Sequence, residues 1–205
     1  MQRIGSALVI SLMGSSAFAD APPAVPIVVD MVTVNGTGCP ANTAAVGVTP
    51  DNTAIWVVYS SYVAAIGVGS GPVDFRKNCL LNVRVHAPPG FTYAIAGVDY
   101  SGGASLAAGA SAVLRTTLFF QGQPAPAFVA HSLSGPFDDL WWFSDTVDSA
   151  ALVFAPCDSQ PHLNLATEIR VTLGTSDPAT TSSFMAMDGI ETAPHMYHLV
   201  WKRCD

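Results

Sequence analysis

Apolar and polar residues alternate along many short stretches of this chain, and residues 163–173 show the pattern most clearly. There Ile169 and Val171 are apolar, whereas Glu168 and Arg170 are polar. Because successive side chains of a β-strand point to opposite faces, this alternation predicts a strand with one buried and one solvated face. No segment sustains the 3.6-residue period of an amphipathic helix.

The same alternation along the rest of the chain predicts about ten to twelve short strands. Clusters of glycine, proline, serine and aspartate separate them and are typical of tight turns. The expected strands cover residues 27–34, 54–59, 81–86, 91–100, 113–121, 127–132, 140–147, 151–154, 163–173, 182–187 and 196–203. The sequence therefore predicts an all-β fold, a two-sheet β-sandwich or jelly roll.

The first nineteen residues have the features of a secretory signal peptide. Arg3 gives a positive start, residues 4–13 are mostly apolar, and the small residues Ala17 and Ala19 precede a cleavage point. We expect residues 1–19 to be removed and residues 20–205 to form one secreted domain, extracellular or periplasmic. No later segment approaches the roughly 20 apolar residues of a membrane helix, so we expect no membrane span.

The four cysteines predict two disulfides, because an even count in a secreted chain usually forms a disulfide framework. Three pairings are possible. We favour Cys39–Cys79 with Cys157–Cys204, since each bridge would then staple one half of the chain. A zinc site is a poorer interpretation, because no two cysteines have the close C-x-x-C spacing typical of zinc ligands.

Composition and charge make several classes of function improbable. The chain has 8 basic and 15 acidic residues, a formal net charge of -7, which makes nucleic acid an improbable partner. The sequence has neither the G-x-S-x-G nor the H-E-x-x-H pattern of common hydrolases. We therefore expect no catalytic residue and no cofactor, and we favour a protein that is not an enzyme.

Some histidine and aspartate side chains are candidates for metal ligands. His195 and His198 stand three residues apart in an expected strand, which puts them on opposite faces and makes a shared ion improbable. A group of aspartates has the oxygen ligands that calcium prefers, but its spacing matches no EF-hand loop. Its members are Asp138, Asp139, Asp145, Asp148 and Asp158. We expect no metal site.

Two adjacent tryptophans are the best candidates for binding. Trp141 and Trp142 lie in an expected strand, so one should pack in the core and the other should reach the opposite face. An exposed aromatic ring there can stack on a sugar or anchor a partner protein. We expect Tyr59 and Tyr62 to extend such a platform.

Several motifs along the chain resemble a family of secreted fungal and bacterial proteins catalogued as domain of unknown function 4360. The matching residues cover nearly all of the mature chain, in order. They include Gly36-Thr37-Gly38-Cys39-Pro40, Arg76-Lys77-Asn78-Cys79, Pro89-Gly90-Phe91-Thr92-Tyr93, Gly135-Pro136-Phe137, Pro156-Cys157 and His198-Leu199-Val200-Trp201-Lys202-Arg203-Cys204. The resemblance implies secretion, a four-cysteine framework and a mostly β domain. It implies no activity and no catalytic residue.

The sequence thus favours a secreted, non-enzymatic β-sandwich that binds a glycan, a cell surface or an extracellular protein. One alternative is a secreted hydrolase that uses Asp138, Asp139 or a histidine in an acidic cleft. The other alternative is a protease inhibitor or effector that acts on a foreign protein.

Overall fold

The computed structural model describes residues 19–157, 159–187 and 193–204. The expected signal peptide lies almost wholly outside these ranges, as does Asp158. Within these ranges twelve β-strands form two antiparallel sheets, and the one short helix is a single 3₁₀ turn. The all-β fold predicted from the alternation is confirmed.

The strands are short, apart from β5 and β6, and tight turns or loops connect them. They are β1 (Val28–Asn35), β2 (Ala44–Val48), β3 (Ala54–Tyr59), β4 (Val63–Gly67), β5 (Arg76–His86), β6 (Phe91–Leu106), β7 (Ser111–Phe120), β8 (Val129–Ser134), β9 (Phe137–Thr146), β10 (Leu163–Thr172), β11 (Ser182–Ala186) and β12 (His195–Arg203).

The smaller sheet has five strands in the order β1-β5-β10-β7-β8. The larger sheet has seven, in the order β2-β3-β12-β6-β11-β4, and β9 pairs with β6 along its other edge. The sixteen-residue strand β6 organises the larger sheet, because β12 pairs with its first half, β11 pairs near its end, and β9 runs along its second half.

The core lies between the two sheets and is built by the predicted alternation. In β10, Leu163, Leu165, Ile169 and Val171 are no more than 1% exposed, whereas the polar residues between them are less buried, with Arg170 reaching solvent. Trp201 of β12 is also fully buried and donates from Nε1 to the carbonyl of Asn52 at 2.8 Å. Because its N–H group has a hydrogen-bond partner, burying the indole costs little free energy, and this large side chain can fill the core.

Both favoured disulfides are present. Cys39–Cys79 and Cys157–Cys204 have Cα–Cα distances of 5.4 Å and 5.8 Å, within the ordinary range for a bridge. The first joins the turn after β1 to β5. The second joins the connection between β9 and β10 to the end of β12.

Three strand assignments differ from the sequence prediction. Residues 151–154 form no strand, because the chain makes a 3₁₀ turn at Ser149–Ala151 that Asp148 caps by accepting from the Ala150 N–H. Strands β2 and β4 were not predicted, since alanine and glycine fill much of both and give weak strand signals.

Candidate functional site

The two adjacent tryptophans of β9 face opposite ways. Trp141 is 3% exposed and points into the sandwich, whereas Trp142 is 60% exposed on the outer face of the larger sheet. This is the division that the alternation predicts. Of the two rings, Trp142 alone is therefore open to a ligand.

Trp141 is held in the core by aromatic packing. Its ring stacks on Phe143 at a centroid distance of 5.1 Å, and Phe143 in turn stacks on His131 at 4.4 Å. Gly102, the residue opposite Trp141 on β6, leaves room for the indole, since an added Cβ there would stand 2.5 Å from the Trp141 ring. This packing fixes the part of β9 that presents Trp142.

The prediction that Tyr59 and Tyr62 extend an exposed platform is wrong. Tyr59 is 4% exposed and Tyr62 is fully buried. The Tyr62 hydroxyl donates to the carbonyl of Thr167 at 2.9 Å, so this side chain bridges the two sheets. The two rings meet edge to face at 5.1 Å inside the core, where their role is packing.

A polar cluster that the sequence did not reveal lies on the same outer face as Trp142. Asp99 of β6 accepts two hydrogen bonds, one from the Ser144 hydroxyl at 2.5 Å and one from Nε2 of His198 at 2.6 Å. The side chains of Asp99 and His198 are about half exposed. The cluster is therefore ordered by its own bonds and still reaches solvent.

Strand register places this cluster beside the exposed ring. Trp142 lies opposite Ser101, and Ser144 lies opposite Asp99 two residue pairs further along the same two strands. Pairs two residues apart share one face of a sheet at a spacing of about 7 Å, within reach of a large side chain. We call the surface formed by Trp142, Asp99, Ser144 and His198 the Trp142 face.

The electrostatics of the Trp142 face centre on Asp99. The hydrogen bond from Ser144, and then that from His198, hold the pKa of the Asp99 carboxyl below its ordinary value. Asp99 is therefore ionised at any pH near neutrality. An ionised carboxylate has more lone pairs than its two donors occupy, so it can accept hydrogen bonds from a ligand's hydroxyl groups.

The candidate metal ligands are spread over the fold. His195 is buried and His198 is on the exposed face, as their spacing in a strand predicts. Asp139 accepts from the Leu140 N–H, and Asp145 pairs with His131. Within the described ranges, no group of three histidine, cysteine, aspartate or glutamate side chains is placed to hold a metal ion.

Three members of the aspartate group, Asp138, Asp139 and Asp145, are spread along β9. Asp138 and Asp139 are neighbours on β9 and face opposite sides of the sheet. Asp145 lies seven positions further along the same strand, which is roughly 24 Å at 3.4 Å per residue. Paired carboxylates of glycosidases stand within about 10 Å, so Asp138 and Asp145 cannot form such a pair.

Comparison with known proteins identifies the family. The family described as "Domain of unknown function (DUF4360)" matches residues 26–204. The chain belongs to this family. The resemblance seen in the sequence motifs is thus confirmed.

A curated relative and a solved structure are also similar to this member of DUF4360. An "Uncharacterized secreted protein" of Arthroderma benhamiae is 29% identical over 174 residues, which is 84% of this chain and 70% of the relative. A structure of TmCBM61 in complex with β-1,4-galactotriose aligns with 87% of this chain and 89% of its own, at 9% identity and a TM-score of 0.28. That structural likeness is too weak to support an inference about fold or ligand.

In the described part of the chain, no helical segment has the length and apolar character needed to cross a bilayer.

Proposed function

We propose that this DUF4360 protein is a secreted, non-enzymatic carbohydrate-binding β-sandwich, and that it binds its glycan on the Trp142 face. The observation that carries the proposal is the 60% exposure of the Trp142 ring beside a hydrogen-bonded carboxylate. An indole exposed to this extent loses little by leaving water and gains by stacking on the apolar face of a sugar ring.

The neighbours of Trp142 favour a sugar over a flat apolar ligand. Sugar recognition needs a ring for stacking and fixed polar groups for hydroxyls, and the Trp142 face has both on adjacent strands. Asp99 is held by two donors, so accepting a sugar hydroxyl costs little side-chain entropy. A protein partner anchored on Trp142 is the competing interpretation.

The hydrogen-bond pattern of the Trp142 face supports a binding role and not nucleophilic catalysis. In a serine hydrolase the serine hydroxyl donates to the histidine, and the histidine donates to the aspartate. Here Ser144 and His198 both donate to Asp99, so the histidine is not positioned to remove a proton from the serine.

Secretion of this chain is supported by three observations. The first residues have the features of a signal peptide, and the relative from Arthroderma benhamiae is a secreted protein by name. All four cysteines are paired in disulfides, which form and persist in oxidising compartments. An extracellular site of action fits a protein that binds a glycan.

A glycan array probed with the mature, oxidised protein tests the proposal. We expect one class of glycan to bind, Trp142→Ala to lower the affinity at least 10-fold, and Asp99→Asn to lower it about 10-fold. The second value follows from the difference of about 1–1.5 kcal/mol between a hydrogen bond to a charged group and one to a neutral group. Phe75→Ala is the control, because Phe75 is another exposed aromatic residue, 37% exposed, outside the Trp142 face.

Comparison of Trp142→Ala with Phe75→Ala, and of glycan binding with protein binding, distinguishes the two interpretations of the Trp142 face. Equal losses in Trp142→Ala and Phe75→Ala would place the binding elsewhere and contradict the proposal. If the wild type binds no glycan but retains an extracellular protein through Trp142, the face is a protein interface and the carbohydrate assignment is wrong.

A further inference from the structure

Arginine side chains are concentrated on the outer face of the smaller sheet, on the opposite side of the sandwich from the Trp142 face. Residues directly opposite each other on paired strands share one face, and so do residues two positions apart on one strand. Strand register therefore places six charged residues on this outer face. They are Asp30 of β1, Arg76 and Arg84 of β5, Arg115 of β7, and Glu168 and Arg170 of β10. We call this surface the arginine face.

The arginine face is positive on a protein that is negative as a whole. Its four arginines and two carboxylates give it a formal charge of +2, whereas the full chain has a formal net charge of -7. Half of the eight basic residues in the chain lie here. A positive face on an acidic protein attracts an anionic partner to one side of the molecule and orients it there.

Three of the arginines surround one carboxylate. Nε of Arg76 donates to Oε2 of Glu168 at 2.7 Å, and a terminal nitrogen of Arg170 lies 3.6 Å from Oε1. Arg115 is directly opposite Glu168, and Arg170 is directly opposite Arg76. Like charges opposite each other on paired strands repel, and one carboxylate neutralises only one of the three arginines. An anionic group of a ligand would therefore be attracted to this cluster.

The arginines of the arginine face are accessible to a ligand. The side chains of Arg76 and Arg170 are 52% and 40% exposed, and Arg84 and Arg115 are exposed as well. The guanidinium of Arg115 lies over the Phe128 ring, 4.7 Å from its centroid. A guanidinium stacked in this way keeps its N–H groups in the plane of its fork, so it can still donate to an anion.

The spread of the positive charge favours a long anion over a compact one. Arg76 and Arg84 are eight positions apart on β5, which is roughly 27 Å at 3.4 Å per residue. A small anion reaches one end of this distance, whereas a chain with repeated anionic groups reaches both. Asn78 is exposed on the same face between them, and its amide can form hydrogen bonds with hydroxyl groups. This combination fits a chain that carries both anionic groups and hydroxyls.

We propose that the arginine face binds an extracellular polysaccharide that carries carboxylate or sulfate groups. Arginine fits both groups, because its planar fork donates two parallel hydrogen bonds to a pair of oxygens. The polysaccharide lies along β5, with anionic groups at the three arginines around Glu168 and at Arg84. The site does not depend on the proposed function of the Trp142 face, which lies on the other sheet.

Binding of the mature, oxidised protein to immobilised polygalacturonate, heparin and dextran, measured by biolayer interferometry, tests the proposal. Polygalacturonate carries carboxylates, heparin carries sulfates as well, and dextran is neutral. We expect at least one of the two anionic chains to bind, and dextran to bind about 10-fold more weakly or not at all. The affinity should fall as salt is added, because the contacts join exposed charges. Comparison of the two anionic chains identifies the group that is recognised.

Neutralising single arginines locates the bound polysaccharide. Arg115→Gln should lower the affinity about 3- to 10-fold, because it removes one charged contact. Arg203→Gln is the matched control and should leave the affinity unchanged. Arg203 is also an exposed arginine over a phenylalanine, 5.0 Å from the Phe91 centroid, but it lies on β12 of the other sheet. Arg84→Gln tests the far end of the face and should lower the affinity about as much as Arg115→Gln.

Removing the central carboxylate should have the opposite effect. Glu168→Gln removes a like charge and frees Arg76 and Arg170 for the ligand, so the affinity should rise about 3- to 10-fold. Asp138→Asn makes the same change in net charge at an exposed position of β9 and should leave the affinity unchanged. Circular dichroism checks that each variant folds, and the two arginine variants keep the test valid if Glu168→Gln does not.

Several results would overturn the proposal. If the wild type bound neither anionic chain, or if Arg115→Gln and Arg203→Gln lost the same affinity, the arginine face would not be the binding site. Tighter binding to double-stranded DNA than to either polysaccharide would contradict the class of partner. Unchanged affinity in Arg84→Gln would contradict a chain that spans the face, and unchanged affinity in Glu168→Gln would show that the ligand does not approach the arginines around it.

Discussion

Replacing each of the two adjacent tryptophans with alanine should affect stability and binding in opposite ways. Trp141→Ala removes a ring that is 3% exposed and stacked on Phe143, whereas Trp142→Ala removes one that is 60% exposed. The two changes are identical in chemistry and adjacent in sequence. Any difference between them therefore comes from the face of β9 on which each ring lies.

The structure sets the size of the difference. Truncating a buried tryptophan to alanine costs about 3–5 kcal/mol, from lost burial and from the cavity left behind. Changes at exposed positions usually stay within about 0.5 kcal/mol, and the partly covered Trp142 should cost less than about 1 kcal/mol. In a domain of this size 1 kcal/mol shifts Tm by about 2–4 °C. Trp141→Ala should thus lower Tm by roughly 6–20 °C, and Trp142→Ala by no more than about 4 °C.

Urea unfolding of the oxidised proteins, followed by circular dichroism, measures these free energies. Trp141→Phe is the matched control. The Trp141 indole N–H is buried without a partner among the described residues, so phenylalanine loses no hydrogen bond and should cost only about 1–2 kcal/mol. If Trp142→Ala destabilised the protein as much as Trp141→Ala, the assignment of inner and outer faces on β9 would be wrong.

Two further predictions concern stability. Burial lowers the pKa of His195, which is 1% exposed. Below pH 6.5 this histidine is therefore protonated in the unfolded chain while it stays neutral in the folded chain. Stability should therefore fall as the pH drops below about 6.5, by up to about 1.4 kcal/mol per pH unit. His195→Gln should reduce that slope in urea unfolding at pH 7.5 and 5.5, and an unchanged slope would contradict it. Removing either disulfide with paired alanines should cost about 4 kcal/mol, because the bridged residues are 40 and 47 positions apart and close loops of similar entropy. A loss below about 1 kcal/mol for either pair, measured in the same way, would contradict the entropic estimate.

Features that depend on local pattern were predictable from the sequence. Alternation identified β10, and turn residues separated most strands, because both effects act within a few residues. The two disulfides were predictable from the even number of cysteines and from their positions along the chain. Strands β2 and β4 were missed because their alanines and glycines carry little strand preference and derive their place from pairing.

Features that depend on strand pairing were not predictable. The bonds of Asp99 to Ser144 and His198 join residues 45 and 99 positions apart on three strands, and no local spacing signals them. The burial of Tyr62 has the same origin, since its partner Thr167 is 105 positions away in the other sheet. An aromatic residue near a strand end gives no sign of which sheet it will face.

The register of β9 on β6 joins the core of this protein to the Trp142 face. Because side chains alternate, a slip of one residue would turn Trp142 inward and Trp141 outward. Gly102 opposes the slip, since it leaves room on the inner side for the Trp141 ring. The bond from Ser144 to Asp99 opposes it from the outer side, because it forms only when these two residues lie opposite each other. The outward direction of Trp142 is therefore set by contacts on both faces, so substitutions at Gly102 should disturb binding even though that residue is not on the Trp142 face.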